Sequence, residues 1–245
     1  GLHIVLSAEN GRTVTAQPAT FRRLGAILFG SDQGLCGQFN ERIVMHALDV
    51  LAERPETAGR LALLSVGGRN AALLEDSKLA VQEVLPTPGG LAGITPLVQD
   101  LLVFIERWRM EDDIDHVLIF HNQPLGGAAY APLTTQLLPV DLDWLRSLQQ
   151  APWPSRVLPT FTMDWNQLFA ALIREYMFVA LYRASAESLA SEDAARMASM
   201  QNAERNIEER IEELNRRYHS QRQNQITAEL LDIVSGYEAV MGERT

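Results

Sequence analysis

The residues equipped for chemistry are few, and they gather in one place. Gly30-Ser31-Asp32-Gln33-Gly34-Leu35-Cys36-Gly37 brings a hydroxyl, a carboxylate, a thiol and three glycines into one short stretch. A glycine-rich loop that opens a helix can turn backbone N–H groups toward a phosphate. The spacing here is neither G-x-x-x-x-G-K-[ST] nor G-x-G-x-x-G. The single lysine, Lys78, follows no such loop. Cys36 is placed where a nucleophile could sit, but none of the five histidines (His3, His46, His116, His121, His219) is linked to it by a motif. His116 and His121 flank one apolar segment and show no metal-ligand spacing. Glu208, Glu209, Glu212 and Glu213 lie beside Arg205, Arg210, Arg216 and Arg217, a solvated and salt-bridged helix face rather than an acid/base pair. The pattern therefore offers no catalytic residue, no metal site and no cofactor. Its loop reads first as a tight turn whose glycines permit close packing, and Cys36 as a buried structural thiol.

Composition narrows the classes further. The 245 residues carry a formal net charge of −10, which argues against nucleic acid or an anionic membrane as partner. One cysteine rules out an internal disulfide and a cysteine-based metal cluster. No apolar run approaches the roughly 20 residues of a membrane span, and no signal peptide is evident.

The elements that must position the loop follow from the hydrophobic pattern. Leu24–Phe29 is a short apolar run that ends at Gly30, a buried strand. Ser31–Gly37 is a turn, and Gln38–Glu53 a helix with Ile43, Val44, Ala47, Leu48 and Leu51 inward. Leu61–Val66 is a second strand, closed by Gly67-Gly68. A short helix over Asn70–Asp76, a strand over Leu79–Leu85 and a loop over Pro86–Gly93 come next. Ile94–Met110 is a helix, then Ile114–Phe120 and Ala129–Val140 are strands. Residues 10–23 read as a loop. The alternation predicts a Rossmann-like α/β layer with a mostly parallel sheet over residues 1–159. Pro152, Pro154 and Pro159 mark the link to the C-terminal third of the chain.

From Thr160 to Ser235 there is neither glycine nor proline. Asp164 is placed to cap a helix, with Gln167 for a capping box and Met163 and Leu168 for a hydrophobic staple. Gly236 is the expected stop. A helix from Trp165 to Ser235 would measure roughly 105 Å, so the second domain, residues 160–245, is read as one long helix. Met197, Met200, Ile207, Ile211, Leu214 and Tyr218 recur at three- and four-residue spacings, the seam of a coiled coil. Exposed in one chain, such a row would seek another apolar surface, so the isolated chain is expected either to pair this helix with that of a second molecule or to fold its distal end, from about Asn206 onward, back on the α/β domain. Earlier, Ala180, Ala184, Ala186, Ala190, Ala194, Ala195 and Ala198 would let another backbone come close.

Two separated motifs add a resemblance. The segment from Ala190 to Val240 resembles the C-terminal helix of the γ subunit of F-type ATP synthases. Ala190, Ser191, Glu192, Ala195, Arg196, Met197, Met200, Ala203 and Asn206 match the early part of that pattern. Arg222, Gln223, Ile226, Thr227, Glu229, Leu230, Ile233, Val234, Ser235 and Gly236 match the late part. SDQGLCGQFN, Ser31–Asn40, resembles the family's SDRGLCGGLN, with Ser31, Asp32, Gly34, Leu35, Cys36 and Gly37 on the shared positions. The departures at Gln38, Phe39, Ser220, Gln221, Asn224 and Gln225 suggest a divergent lineage.

The resemblance implies a central rotor shaft without a catalytic site of its own, coupling proton or sodium flow to ATP synthesis or hydrolysis. It implies the α and β subunits, the ε subunit and the membrane c-ring as partners, and a peripheral place on the cytoplasmic face of a bacterial inner membrane. Arg222, Gln223, Thr227 and Glu229 would contact the catalytic ring. The family's long N-terminal helix is expected to be missing, since the chain opens at Gly1 as if in mid-element. Two other readings stand beside this one: an adaptor with an α/β head and a coiled-coil arm, and an α/β enzyme that holds a phosphate-bearing ligand on the Gly30–Gly37 loop.

Overall fold

The computed structural model describes residues 1–8, 23–54, 60–152, 157 and 161–242; the loop expected over residues 10–23 falls almost wholly outside them. Elements run in the order α1 (Leu2–Ala8), β1 (Leu24–Phe29), α2 (Phe39–Ala52), β2 (Leu61–Val66), α3 (Gly68–Asp76), β3 (Glu83–Leu85), α4 (Leu91–Glu111), β4 (His116–Gly126), β5 (Ala129–Leu138), α5 (Leu142–Gln150) and α6 (Trp165–Gly242). Five strands form one sheet in the order β3-β2-β1-β4-β5. β1 pairs in parallel with β2 and β4, β2 in parallel with β3, and β5 closes the sheet antiparallel to β4. This is the expected α/β class with a mostly parallel sheet and a long C-terminal helix.

All six residues of β1 are buried, the mark of a central parallel strand covered on both faces. Alternate side chains divide between two cores. Leu24, Ala26 and Leu28 meet Ile43, Val44, Ala47 and Leu51 of α2 and Leu74 of α3. Ile27 and Phe29 meet Ile94, Leu101, Ile105 and Trp108 of α4 and Met177, Leu181 and Ala184 of α6.

Several sequence expectations need correction. The third strand is three residues, not Leu79–Leu85. Lys78 takes a left-handed backbone (φ 63°), so the chain is still turning at Leu79. α4 begins at Leu91, not Ile94, and carries Pro96 inside it. β4 starts two residues later than Ile114 and runs past Phe120 to Gly126, because the hairpin with β5 supplies partners beyond the parallel part of the sheet. α5, absent from the sequence reading, precedes the link marked by Pro152, Pro154 and Pro159; Asp141 caps it, accepting from the backbone N–H groups of Asp143 and Trp144. Asp164 caps α6 as expected, accepting from Asn166 and Gln167. Gly236 does not end that helix, which continues to Gly242; one glycine costs a helix only about 1 kcal/mol.

The chain divides into two compact units, residues 1–197 and 198–245. The first includes the start of α6. There Met177, Leu181, Ala184, Ser185, Ser188, Ser191, Glu192 and Ala195 are buried, a stripe at three- and four-residue spacing that faces the sheet. The second is helical, and its described side chains are almost all exposed.

Candidate functional site

In doubly wound sheets ligands bind beyond the carboxyl ends of the strands, where the crossover direction reverses. Here α2 and α3 cover one face and α4 the other, so that point lies between β1 and β4. The loop Ser31–Gly37 sits there, directly after β1.

Its shape is fixed by its own side chains. The Ser31 backbone N–H donates to Asn40 Oδ1 at 3.0 Å, and Asn40 Nδ2 donates to Ser31 Oγ at 2.8 Å. Ser31 Oγ in turn donates to the Gln33 carbonyl at 2.8 Å. Cys36 Sγ lies 3.6 Å from both Ser31 Oγ and Asn40 Nδ2, buried under the turn. Asp32 reaches outward and ties three segments together: Oδ1 accepts from the Gly68 N–H at 2.8 Å, and Oδ2 from the Thr87 N–H at 2.7 Å and Thr87 Oγ1 at 2.9 Å. Burial pulls its carboxyl upward, but these donors outweigh that and hold it below the usual carboxylate range.

Glycine is required at two neighbouring points. A Cβ on Gly67, whose φ is +102°, would lie 2.8 Å from the Ser31 backbone, and one on Gly30 would lie 2.2 Å from the Asn70 amide. Leu35 also has a left-handed backbone (φ 65°) and points into solvent.

The crevice beside this loop is filled by α6. Ser191 Oγ donates to the Asn122 carbonyl at 3.1 Å, and Asn122 Nδ2 donates to the Phe39 carbonyl at 3.1 Å. Phe39, Cys36 and Ala195 form a small core with Tyr130 against its edge. One helical turn earlier on α6, His121 Nε2 of β4 meets Glu187 Oε2 at 2.9 Å, while Glu187 Oε1 accepts from Arg183 Nε at 2.7 Å. Burial holds His121 below its ordinary pKa, even though Glu187 pulls the other way. Glu187, itself pushed up by burial, is held low overall by Arg183 and His121.

His121 is thus a buried joint residue inside β4, not a strand-end histidine. His116 opens β4 and bonds Asp115. Sequence reasoning missed Asn122 and Glu187, and reached Asn40 and Ser191 only as positions in the two family motifs; the small residues of α6 were legible, but nothing in the sequence said which strand end they meet. Among the described residues no group of three or more His, Cys, Asp or Glu side chains could hold a metal ion.

The residues singled out for partner contact all lie on α6. Met197, Met200, Ile207, Ile211, Leu214 and Tyr218 are exposed. Arg222, Gln223, Thr227 and Glu229 are exposed as well; Thr227 Oγ1 donates to the Gln223 carbonyl and Glu229 accepts from Gln225. Arg210 and Arg217 pair with Glu213, and Arg216 with Glu212, the solvated charge ladder expected there.

Comparison with known proteins decides the family. The chain matches the family model described as ATP synthase over residues 3–240. It is 30% identical over 234 residues to the ATP synthase gamma chain of Chromobacterium violaceum, covering 96% of this chain and 80% of that one. The chain belongs to the ATP synthase gamma-chain family. The gamma chain of Sulfurovum sp. is 26% identical over 221 residues, with 89% and 73% of the two chains covered. The fold agrees. A chain of the Euglena gracilis mitochondrial ATP synthase structure (OSCP/F1/c-ring) superposes with a TM-score of 0.67 at 20% identity, covering 91% of this chain and 75% of that one. One from the Tetrahymena thermophila central stalk and c-ring gives 0.59 at 20% identity, covering 82% and 84%. In this chain α6 packs against the end of the sheet where a doubly wound fold would hold a ligand.

Proposed function

We propose that this gamma chain is the central rotor shaft of an F-type ATP synthase and contributes no catalytic site of its own. One observation carries the reading. The helix that bears both C-terminal family motifs is bolted to the end of the sheet through Ser191–Asn122, His121–Glu187 and the buried stripe from Met177 to Ala195. A torque applied to the sheet domain is therefore delivered to the helix rather than lost in a loose linker. The shaft alters its partners by differential contact in different rotational states, which is coupling without chemistry.

The functional division runs along the chain: residues 1–159 form the foot, and residues 160–245 the shaft helix. In the assembled enzyme the α and β subunits surround the seam Met197, Met200, Ile207, Ile211, Leu214 and Tyr218, and Arg222, Gln223, Thr227 and Glu229 meet the catalytic ring. The ε subunit and the c-ring bind the foot. No described helix is long and apolar enough to cross a membrane; attachment through the c-ring places the chain peripherally, on the cytoplasmic face of a bacterial inner membrane. The driving ion is a proton or sodium.

Co-expression with the α and β subunits from the same source tests this. A stable complex containing this chain is expected, with ATP hydrolysis driving rotation of a bead fixed to the foot. Failure to co-purify, or hydrolysis without rotation, overturns it.

A further inference from the structure

A small cavity lies where the middle of α6 crosses the end of the sheet. Gly30 after β1, Val66 at the end of β2 and Thr87 beyond β3 wall one side; Ser185, Ser188 and Glu192 of α6 wall the other. Its volume of about 10 Å³ is close to the least that admits a single water molecule. Both serines are buried, and neither hydroxyl has a hydrogen-bonding partner in the protein. A buried hydroxyl left without a partner costs free energy that a bridging water restores. Glu192 is also buried, and one of its carboxylate oxygens is held by Arg196.

The chemistry of the walls selects the occupant. A phosphate or nucleotide is far too large for this space. A cation finds one carboxylate already paired with a guanidinium, and two neutral hydroxyls. Two hydroxyls that both donate and accept, beside a carboxylate that accepts, suit a molecule with two donors and two acceptors. We propose that this cavity binds one ordered water, shared between the Ser185 and Ser188 hydroxyls and the Glu192 carboxylate, as a polar washer between α6 and the strand ends. The site is independent of the rotor reading, because it depends only on how α6 packs on the sheet.

A crystal structure of the full chain, at a resolution that shows ordered solvent, tests it. The expected result is a density peak within hydrogen-bond distance of both serine oxygens, lost in the Ser185→Ala/Ser188→Ala double variant. Urea unfolding gives a second reading. If the water bridges, each single variant unfolds at lower urea than the parent. An empty cavity, with the hydroxyls turned onto their own helix carbonyls, overturns the proposal. So do serine-to-alanine variants as stable as the parent or more so, the result for hydroxyls that had no partner. If a variant fails to fold, the parent's density decides.

Discussion

Leu181 and Leu214 sit on the same helix, and replacing each with alanine separates the two roles that α6 plays. Leu181 is 0% exposed and lies in the core shared with α4 and β1. Leu214 is 57% exposed. The intrinsic helix propensity changes equally in both, so the difference reports packing. Leu181→Ala removes three carbons from a closed core, about 2.4 kcal/mol at ~0.8 kcal/mol per carbon. The cavity left behind raises the total to as much as about 5 kcal/mol. Leu214→Ala removes the same atoms from water and should fall within about 0.5 kcal/mol. Urea unfolding followed through Trp108, which is buried in the same core as Leu181, reads both, at concentrations low enough to keep the chain monomeric. In co-purification with the α and β subunits the order should invert: Leu214→Ala weakens the complex while Leu181→Ala, once folded, still enters it. Equal losses in urea, or a larger loss for Leu214→Ala, would refute the claim that α6 is anchored by its first part and offered to partners by its second.

Other expectations rest on single contacts. Gly30→Ala should cost about 1–3 kcal/mol by overpacking against Asn70, and adding Asn70→Gly should return part of it; no recovery in the double variant would mean that the cost has another origin. Because burial holds His121 below its ordinary value of 6.5, the unfolded chain binds that proton more readily. Its contribution is therefore whole above about pH 6.5 and is lost as pH falls, so His121→Gln should flatten the slope of stability against pH; an unchanged slope in thermal melts at stepped pH would count against the assignment. Asp32→Ala removes the acceptor for three donors and should cost about 1–2 kcal/mol, measured by the same urea titration, whereas a neutral result would make the tie between loop, α3 and β3 incidental. The isolated chain should show a molar mass that rises with concentration in light scattering, and Ile207→Glu with Leu214→Glu should abolish the rise.

Much of this architecture is legible because its signals are local. β1 and β2 are short apolar runs closed by glycine, and their limits come from that alone. The start of α6 is written in Asp164 and in a long stretch without glycine or proline. What escapes depends on partners distant in sequence. β4 outruns its apolar core because β5 pairs with it, and Asn122, Pro124 and Gly126 do not read as strand in isolation. α5 is nine residues, too short for a clear period, and the nearby prolines draw attention away from its Asp141 cap. The loop at Gly30–Gly37 reads correctly as a tight turn around a buried thiol. That α6 fills the crevice above it is hidden, because Ser191 and Asn122 are 69 positions apart and neither belongs to a motif that pairs them.

The residues along the buried stripe of α6 are mostly small: Ala184, Ser185, Ser188, Ser191 and Ala195. An alanine has no rotamer to exchange, and a serine few, so this part of the contact rearranges mainly by moving backbone. A joint made of leucines or methionines could absorb an applied twist by shuffling side chains among near-equal packings, and each shuffle would dissipate work. From Ala184 to Ala195 the seat is mostly methyls and hydroxyls and has few such alternatives, so a twist is taken up by side chains only at its near end, where Met177 and Leu181 lie.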